Sequence, residues 1–438
     1  MFNPQGGSQS TKFRLGIAVA FVSIMFVLVP GSASAASKLK LLHRFSNSGN
    51  DGYNPYDRPV LDEAGNLYGT TEFGGDGSEC PPGCGVVFRL HPSNGQWQEI
   101  KYSLGRDTAY PQGGLVLDKQ GHIYGTAVGY ASYGSVFEVT YSGGRWHKQI
   151  LYEFKGNTDG AWPKSTLILD TLGNLYGTTI AGGGRGSCDI YGAAYCGTVF
   201  KLAPNSTGGW TESLLYSFAG GNDGAYPQAG SLTFDGKGNL YGATDAGGGT
   251  GCTDNLGCGI VFKLSPNSDG SWTETILHDF SGGSDGGVPS GSLVFDEKGN
   301  LYGEAGGGGT FGDGVVFEMS GSRDGWRETV LYNFAGGSDG NGPSGGVVFD
   351  KAGNLYGSTG AGGNGGCYND EGCGTVFELK PSSGGWSETV LYTFTGSNKI
   401  DGALPQGVIL DKKGNLFGTG FDYSGGYYGP GTVFEITP

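Results

Sequence analysis

From residue 40 onward, apolar and polar positions follow one sentence, and the chain repeats it seven times. A clear stretch is Trp210 to Phe218. There Trp210, Glu212, Leu214, Tyr216 and Phe218 share one face at a period of two, the spacing of a β-strand. The core of each unit is Gly-Asn-Leu-Tyr-Gly, beginning at Gly65, Gly121, Gly173, Gly238, Gly299, Gly353 and Gly414. The second copy reads Gly-His-Ile-Tyr-Gly and the seventh Gly-Asn-Leu-Phe-Gly. An Asp stands three residues before each core, and a Val-Phe pair follows, ending at Phe88, Phe137, Phe200, Phe262, Phe317, Phe377 and Phe434. A Trp closes six of the units, from Trp97 to Trp386.

Each unit parses into four strands. An apolar run such as 231–235 meets Asp-x-x-Gly-Asn, a tight hairpin turn whose Gly takes positive φ. The second strand is the Asn-Leu-Tyr-Gly-Thr-Thr segment. A long Gly-rich loop leads to the third, such as 197–202, and a Pro/Ser/Gly turn to the fourth. Seven such antiparallel units predict an all-β chain, a seven-bladed β-propeller of four-stranded blades around a channel. The expected blades span about 58–104, 114–154, 165–218, 230–280, 291–334, 345–394 and 406–437 plus 38–45. The last unit stops after its third strand, at Ile436, and Lys40–Phe45 matches the missing fourth. The N-terminal strand is therefore expected to pair with the last blade and close the ring, which removes open sheet edges. The Gly inside each second strand predicts close backbone approach or a neighbour's ring stacked on it.

Composition agrees: Gly supplies 91 of the 438 residues and aromatics 13%, with no Gly-x-y period. Residues 1–35 read as an export signal: Lys12 and Arg14, an apolar run from Leu15 to Val29, then Ala33-Ser34-Ala35. The same run also reads as an uncleaved N-terminal anchor. No later run is long enough to span a membrane, and no hydrophobic tail leads to Pro438. Removing the signal takes the net charge from −15 to −17, a balance that repels nucleic acid and anionic lipid. Solubility alone explains such a charge; cations and neutral ligands such as glycans are compatible with it. A monomer is expected, secreted to an extracellular or periplasmic location.

The eight cysteines form four close pairs, Cys80/Cys84, Cys188/Cys196, Cys252/Cys258 and Cys367/Cys373. In an exported chain they predict four disulfides, each clipping one Gly-rich loop. The pairs are too far apart, with no His beside them, for a four-ligand zinc site, and no metal is required.

Strand order places the Cys loops and a recurring Phe-x-Gly-Gly-x-Asp-Gly-x-x-Pro segment on one face, and short uniform turns on the other. Variable loops on one face of a repeat array mark the expected functional face. The segment supplies Asp51, Asp107, Asp159, Asp223, Asp285, Asp339 and Asp401. Around a channel mouth they could ring a cation such as Ca²⁺; each reads more simply as a cap on its own turn. Its prolines direct the chain into the first strand. Residues that break the pattern are the candidates for a ligand: Tyr53, Arg58, Arg106, Tyr110, Trp162, Lys164 and Tyr226, with Tyr130 and Tyr133 in a short loop that lacks a Cys pair and Tyr191 and Tyr368 in longer ones. Aromatic rings beside polar groups at a concave mouth suit stacking on sugars.

No catalytic constellation is legible. His43, His91, His122, His147 and His278 neighbour no nucleophile motif, and no two Cys are adjacent. The expected role is a binding or scaffold propeller that engages a glycan or an extracellular protein through its loop face. A polysaccharide-active lyase or hydrolase at the channel mouth is the alternative, resting on fold analogy.

The sentence Gly-Gly-x-Asp-Gly-x-x-Pro, then Asp-x-x-Gly-Asn-Leu-Tyr-Gly-Thr-Thr, then Gly-x-Val-Phe resembles the GloVer tandem repeat of bacterial exported "choice-of-anchor" proteins, over residues 40–438. It is also similar to the grammar of NHL-type propellers. The resemblance implies export and a surface or extracellular location, and transfers no catalytic residue.

Overall fold

The computed structural model describes residues 37–438, apart from 47–49, 189–194, 228–229, 250, 253–255, 324, 364–365, 368–370, 397–400, 422 and 425–426. The expected export signal, Tyr191 and Tyr368 lie outside the described residues. Among the described residues seven antiparallel sheets form the blades, six of four strands and one of five, beside a two-stranded ribbon of Tyr423–Ser424 and Tyr427–Tyr428. The extra strand arises in the first blade, whose inner edge is split into Gly52–Pro55 and Val60–Leu61. In every blade the first strand is innermost. Neighbouring inner strands nearly touch at the axis: a Cβ on Gly291 would lie 2.0 Å from the Gly346 nitrogen. Side chains larger than a hydroxymethyl find little room there.

The ring closes as the repeat count requires. Strand Lys38–Arg44 pairs antiparallel with Thr432–Thr437, with Leu41 opposite Phe434 and Leu39 opposite Ile436. Phe45 then packs on Phe88 of the first blade at 5.1 Å between ring centroids. Equivalent rings stitch five other junctions: Phe154 on Phe200, Phe218 on Phe262, Phe280 on Phe317, Phe334 on Phe377 and Phe394 on Phe434. Between the first and second blades, Leu104 and Phe137 share one buried cluster.

The repeated glycines have specific neighbours. The ring lying on each second-strand Gly belongs to the same blade: Gly69 pairs with Phe88 in the ladder, and a Cβ would meet that ring at 2.4 Å. The Gly that opens each third strand instead receives the next blade's proline. Pro111 covers Gly85, Pro289 covers Gly259, and Pro55 covers Gly431 across the closure. The prolines therefore lock blade to blade as well as steering the chain.

The outer strands carry paired acids at four junctions. Glu212 is pushed up to about 7 by burial and by Asp159; Glu328 and Glu388 reach about 7 by burial with Asp285 and Asp339. Glu274 reaches about 8 through burial and Asp223, and the Tyr216 hydroxyl lies within hydrogen-bond distance of both of those carboxyl groups. A folded-state pKa above the ordinary value near ~4.3 means that the folded state binds the proton more tightly. This stabilisation is full below about pH 4.5 and is lost as pH rises through about 7 to 8. The melting temperature is therefore expected to fall steadily from pH 5 to pH 8.5. A flat or rising profile in thermal melts would contradict the assignment, and Glu274→Gln should flatten the fall.

Candidate functional site

One residue per blade builds the mouth of the channel. The residue before each linking proline takes the left-handed conformation in all seven blades. These are Asn54 (φ 63), Tyr110 (60), Trp162 (58), Tyr226 (56), Val288 (55), Gly342 (63) and Leu404 (47). For the six non-glycine residues this conformation costs about 1–2 kcal/mol each. The previous blade holds each one. Its N–H donates to the carbonyl just before that blade's third-strand Gly: Tyr110 to Cys84, Trp162 to Tyr133, Tyr226 to Cys196, Val288 to Cys258, Gly342 to Asp313, Leu404 to Cys373 and Asn54 to Pro430, at 2.7–3.2 Å. In four blades that carbonyl belongs to a disulfide. All eight cysteines pair as expected, and Cys80–Cys84, Cys188–Cys196, Cys252–Cys258 and Cys367–Cys373 each brace one mouth residue. Four disulfides are the cysteine usage of an oxidising, extracytoplasmic compartment. No helix among the described residues is long and apolar enough to cross a membrane.

The linking segment is more than a loop. Its residues begin the inner strand, pairing Gly52 with Gly74, Gly287 with Gly307, Asn341 with Ala361 and Ala403 with Phe421. That pairing brings the mouth residues against the ends of the second strands and aims the next positions at the axis.

On blades 1 and 2 the mouth carries a continuous aromatic track. Tyr53 meets Phe73 at 5.4 Å, Phe73 meets Tyr110 at 5.5 Å and Tyr110 meets Tyr130 at 6.1 Å between centroids. The Arg106 guanidinium caps Tyr130 at 4.8 Å. Beside the track, Glu72 accepts from Asn54 Nδ2 and from Gln112 Nε2, both at 2.5 Å. Burial raises the Glu72 acid, opposed by these bonds and by Lys164. Burial lowers Lys164, opposed by Glu72 and Asp245. Each charge thus acts on the other within a mouth that partly excludes water, without a direct ion pair between them.

Inward of these groups lies a cavity of about 290 Å³ on the propeller axis. All seven blades line it, through residues such as Tyr56, Gln112, Lys164, Asp245, Ser344 and Gln406. Its floor is the ring of touching inner strands, and one blade breaks that ring's small-residue rule. Asp57 and Arg58 stand where other blades carry pairs such as Gly113-Gly114, Gly291-Ser292 or Gly345-Gly346. Asp57 Oδ2 accepts from Gly114 N at 2.8 Å and from Thr166 Oγ1 at 2.5 Å; Oδ1 accepts from Arg58 N at 2.7 Å. Its backbone oxygen accepts from Thr419 Oγ1 at 2.6 Å. One residue thus joins blades 7, 1, 2 and 3. Asp57 is half-buried on the cavity wall, and burial raises its acid, opposed by Arg58.

Glu304 is the second exception. Sister blades place Thr70, Thr126, Thr178, Ser358 and Thr419 there, each donating to an inner-strand carbonyl of the next blade. Glu304, 1% exposed, instead accepts from Gly346 N at 2.9 Å, and burial pushes it up to about 8 against the pull of Arg58.

Of the ligand candidates read from the sequence, Tyr53, Arg106 and Tyr110 meet in the track, and Lys164 stands beside it. Arg58 lies near the floor, close enough to act on Asp57 and Glu304. Trp162 packs on Ala161, Ile180 and Ala181. Tyr226, 7% exposed, is packed in the core of its junction. The seven aspartates lie by the outer strands, and none lines the axial cavity. Six of them accept the N–H of the residue after the fourth-strand Phe: Ser46 to Asp51, Lys155 to Asp159, Ala219 to Asp223, Ser281 to Asp285, Ala335 to Asp339 and Thr395 to Asp401. Asp107 pairs with Lys148 at 2.6 Å. Among the described residues, ligand-type atoms gather in threes only at His43, Asp51 and Glu99, where the Lys101 ammonium bonds both carboxylates at 3.0 Å.

The sequence reading missed Phe73, Glu72, Gln112, Asp245, Asp57 and Glu304. Column-by-column comparison of the seven units would have found them. The position of Glu72 is Val128, Ile180, Asp245, Gly306 and Gly360 in other blades, a column too varied to serve the repeat.

Among solved structures, the chain is similar to a periplasmic gluconolactonase of Pseudomonas aeruginosa, with 14% identity, 85% of this chain and 98% of that one covered, and a TM-score of 0.51. It is also similar to an ulvan lyase, with 11% identity, 90% and 95% covered, and a TM-score of 0.49. At such identities the first likeness shows the fold alone, and the second carries no argument. No curated protein matches the sequence. The family model of the Gloeobacter/Verrucomicrobia repeat matches residues 26–253 and 250–438. With nearly the whole chain matched in two copies, and seven blades built from its repeat, the chain belongs to the Gloeobacter/Verrucomicrobia repeat family.

Proposed function

We propose that this propeller is an exported binding protein that holds a glycan at the loop-face mouth of its channel. The observation that carries the reading is the aromatic track from Tyr53 to Tyr130, flanked by Glu72, Asn54, Gln112 and Lys164. Rings in a row offer apolar faces to successive sugars, and fixed amides and charges beside them suit hydroxyl groups. The strained mouth ring and its disulfide braces keep the rings in place before a ligand arrives, which lowers the entropy lost on binding. The protein acts as a monomer outside the cytoplasm, and its acidity disfavours nucleic acid as a partner.

The mature protein is expected to retain at least one neutral glycan on an array. Tyr110→Ala should weaken that binding about tenfold, the equivalent of ~1.4 kcal/mol for one lost stacking partner. An array with no retained glycan ends this reading. The opposed shifts of Glu72 and Lys164 favour one second reading, acid–base cleavage of a polysaccharide at the same mouth. A reducing-end assay across a polysaccharide panel decides it, and no product removes it.

A further inference from the structure

Beneath the axial cavity the inner strands crowd the axis, which gives the cavity the form of a cup. It opens on the loop face, and beneath it the inner strands close on one another around the axis. Gly230 lies against Gly291 and Ser292, Gly291 against Gly346, and Gly345 against Gly407, each so closely that a Cβ would fall within 2.5 Å of backbone atoms. On the remaining side Asp57 ties its own strand to Gly114 and Thr166. Backbone and the Asp57 side chain, which reaches from the first blade to the third, thus crowd the space beneath the cavity.

The cup is also small. Its volume of about 290 Å³ lies at the lower edge of the ~300–1,000 Å³ typical of small-molecule sites. It is continuous with the aromatic track, because Gln112 lines the cup and bonds Glu72, the residue before Phe73 of the track. Around the wall, Lys164, Asp245 and Gln406 supply charged and amide groups, and Val288, 41% exposed, supplies an apolar side. Charges of both signs with amides between them match a hydroxyl-rich unit. Asp57, Asp245 and Glu72 are offset by Lys164, by Arg58 near the floor and by Arg106 on the track, so a carboxylate or sulfate on that unit meets no net positive charge.

We infer that the axial cup receives the terminal sugar of a neutral glycan whose next units lie along the Tyr53–Tyr130 track, so that the protein recognises chain ends rather than chain interiors. This rests on the carbohydrate reading above and adds to it the place and the part of the chain that is bound.

The test fills the cup and leaves the track intact. Val288→Trp places a Trp where the third blade already carries one, Trp162, at nearly the same backbone angle (φ 55 against 58). Ser344→Phe fills the cup from the sixth blade and covers the case in which the first variant folds poorly. Binding of cellohexaose, maltohexaose, laminarihexaose and chitohexaose is measured by calorimetry, with melting curves as the check on folding. For whichever hexasaccharide the wild type binds, both variants should lose at least about tenfold in affinity. Partial acid hydrolysis of the matching polysaccharide multiplies its ends at constant mass, and the protein bound per gram should rise with them. If the filled variants bind like wild type while Tyr110→Ala does not, the end-reading is overturned and the glycan reading stands. A bound amount indifferent to the number of ends overturns it too. If wild type binds none of the four, and no glycan on an array, both readings fall together.

Discussion

Deleting residues 37–45 is expected to leave no cooperatively folded propeller, the largest effect any local change should have here. The segment supplies the outer strand of the last blade, paired with Thr432–Thr437, and ends in Phe45, which is fully buried against Phe88. Truncating one buried Phe to Ala typically costs about 3–5 kcal/mol. The deletion removes that ring and buried Leu42 together with a whole strand ladder. Against a native stability of roughly 5–15 kcal/mol, the sum leaves little. It also bares the backbone edge of Thr432–Thr437, a template for intermolecular pairing. The measurements are soluble yield, circular dichroism and a thermal melt. Phe45→Ala alone should keep a single transition with stability lowered by about 3–5 kcal/mol. Lys40→Ala should change almost nothing, because its pair with Glu435 at 3.5 Å is solvent-exposed on the lysine side. A truncated chain melting like the full one would show that the ring does not depend on its closing strand.

That closure was legible in the sequence for a physical reason. Each element of the repeat answers to another: Gly69 to Phe88, Gly85 to Pro111, Asp62 to the Asn66 amides and the Tyr68 hydroxyl. Such partners must recur in every blade, so counting them recovers strands, turns and the unpaired last unit. The candidate site follows the opposite rule. Glu72, Asp57 and Glu304 have no recurrent partner; Glu72 and Glu304 sit within strands that the repeat makes look uniform, and Asp57 sits in the break of the first blade's inner edge. Attention to long loops finds Tyr53, Tyr110 and Arg106 and passes over the carboxylates between them. The left-handed mouth ring was hidden as well, since Asn, Tyr, Trp, Val and Leu share no preference for positive φ; the interblade hydrogen bonds impose it. The seven aspartates show how regularity can mislead, for what recurs once per blade also caps a turn once per blade.

Asp57→Ala should destabilise the ring by about 3 kcal/mol, more than any other change at the axis. Its carboxylate gathers three donors from three blades: Arg58 N, Gly114 N and Thr166 Oγ1. Hydrogen bonds to a charged group contribute roughly 1.5–3 kcal/mol each, and a partner left buried without one incurs its desolvation cost. Full additivity is not expected, because Thr166 Oγ1 also accepts from Gly114 N at 2.8 Å and satisfies that donor after the change. The loss also removes a carboxylate on which the Arg58 charge acts, in a site where burial already keeps Glu304 up at about 8. Asp57→Asn retains the shape and one acceptor oxygen, so it should cost about 1 kcal/mol. Urea unfolding of the three proteins measures both numbers. If Asp57→Ala and Asp57→Asn are equally mild, the axis is held by backbone packing of the inner strands alone. A large gap between them assigns the junction of blades 1, 2 and 3 to this one carboxylate.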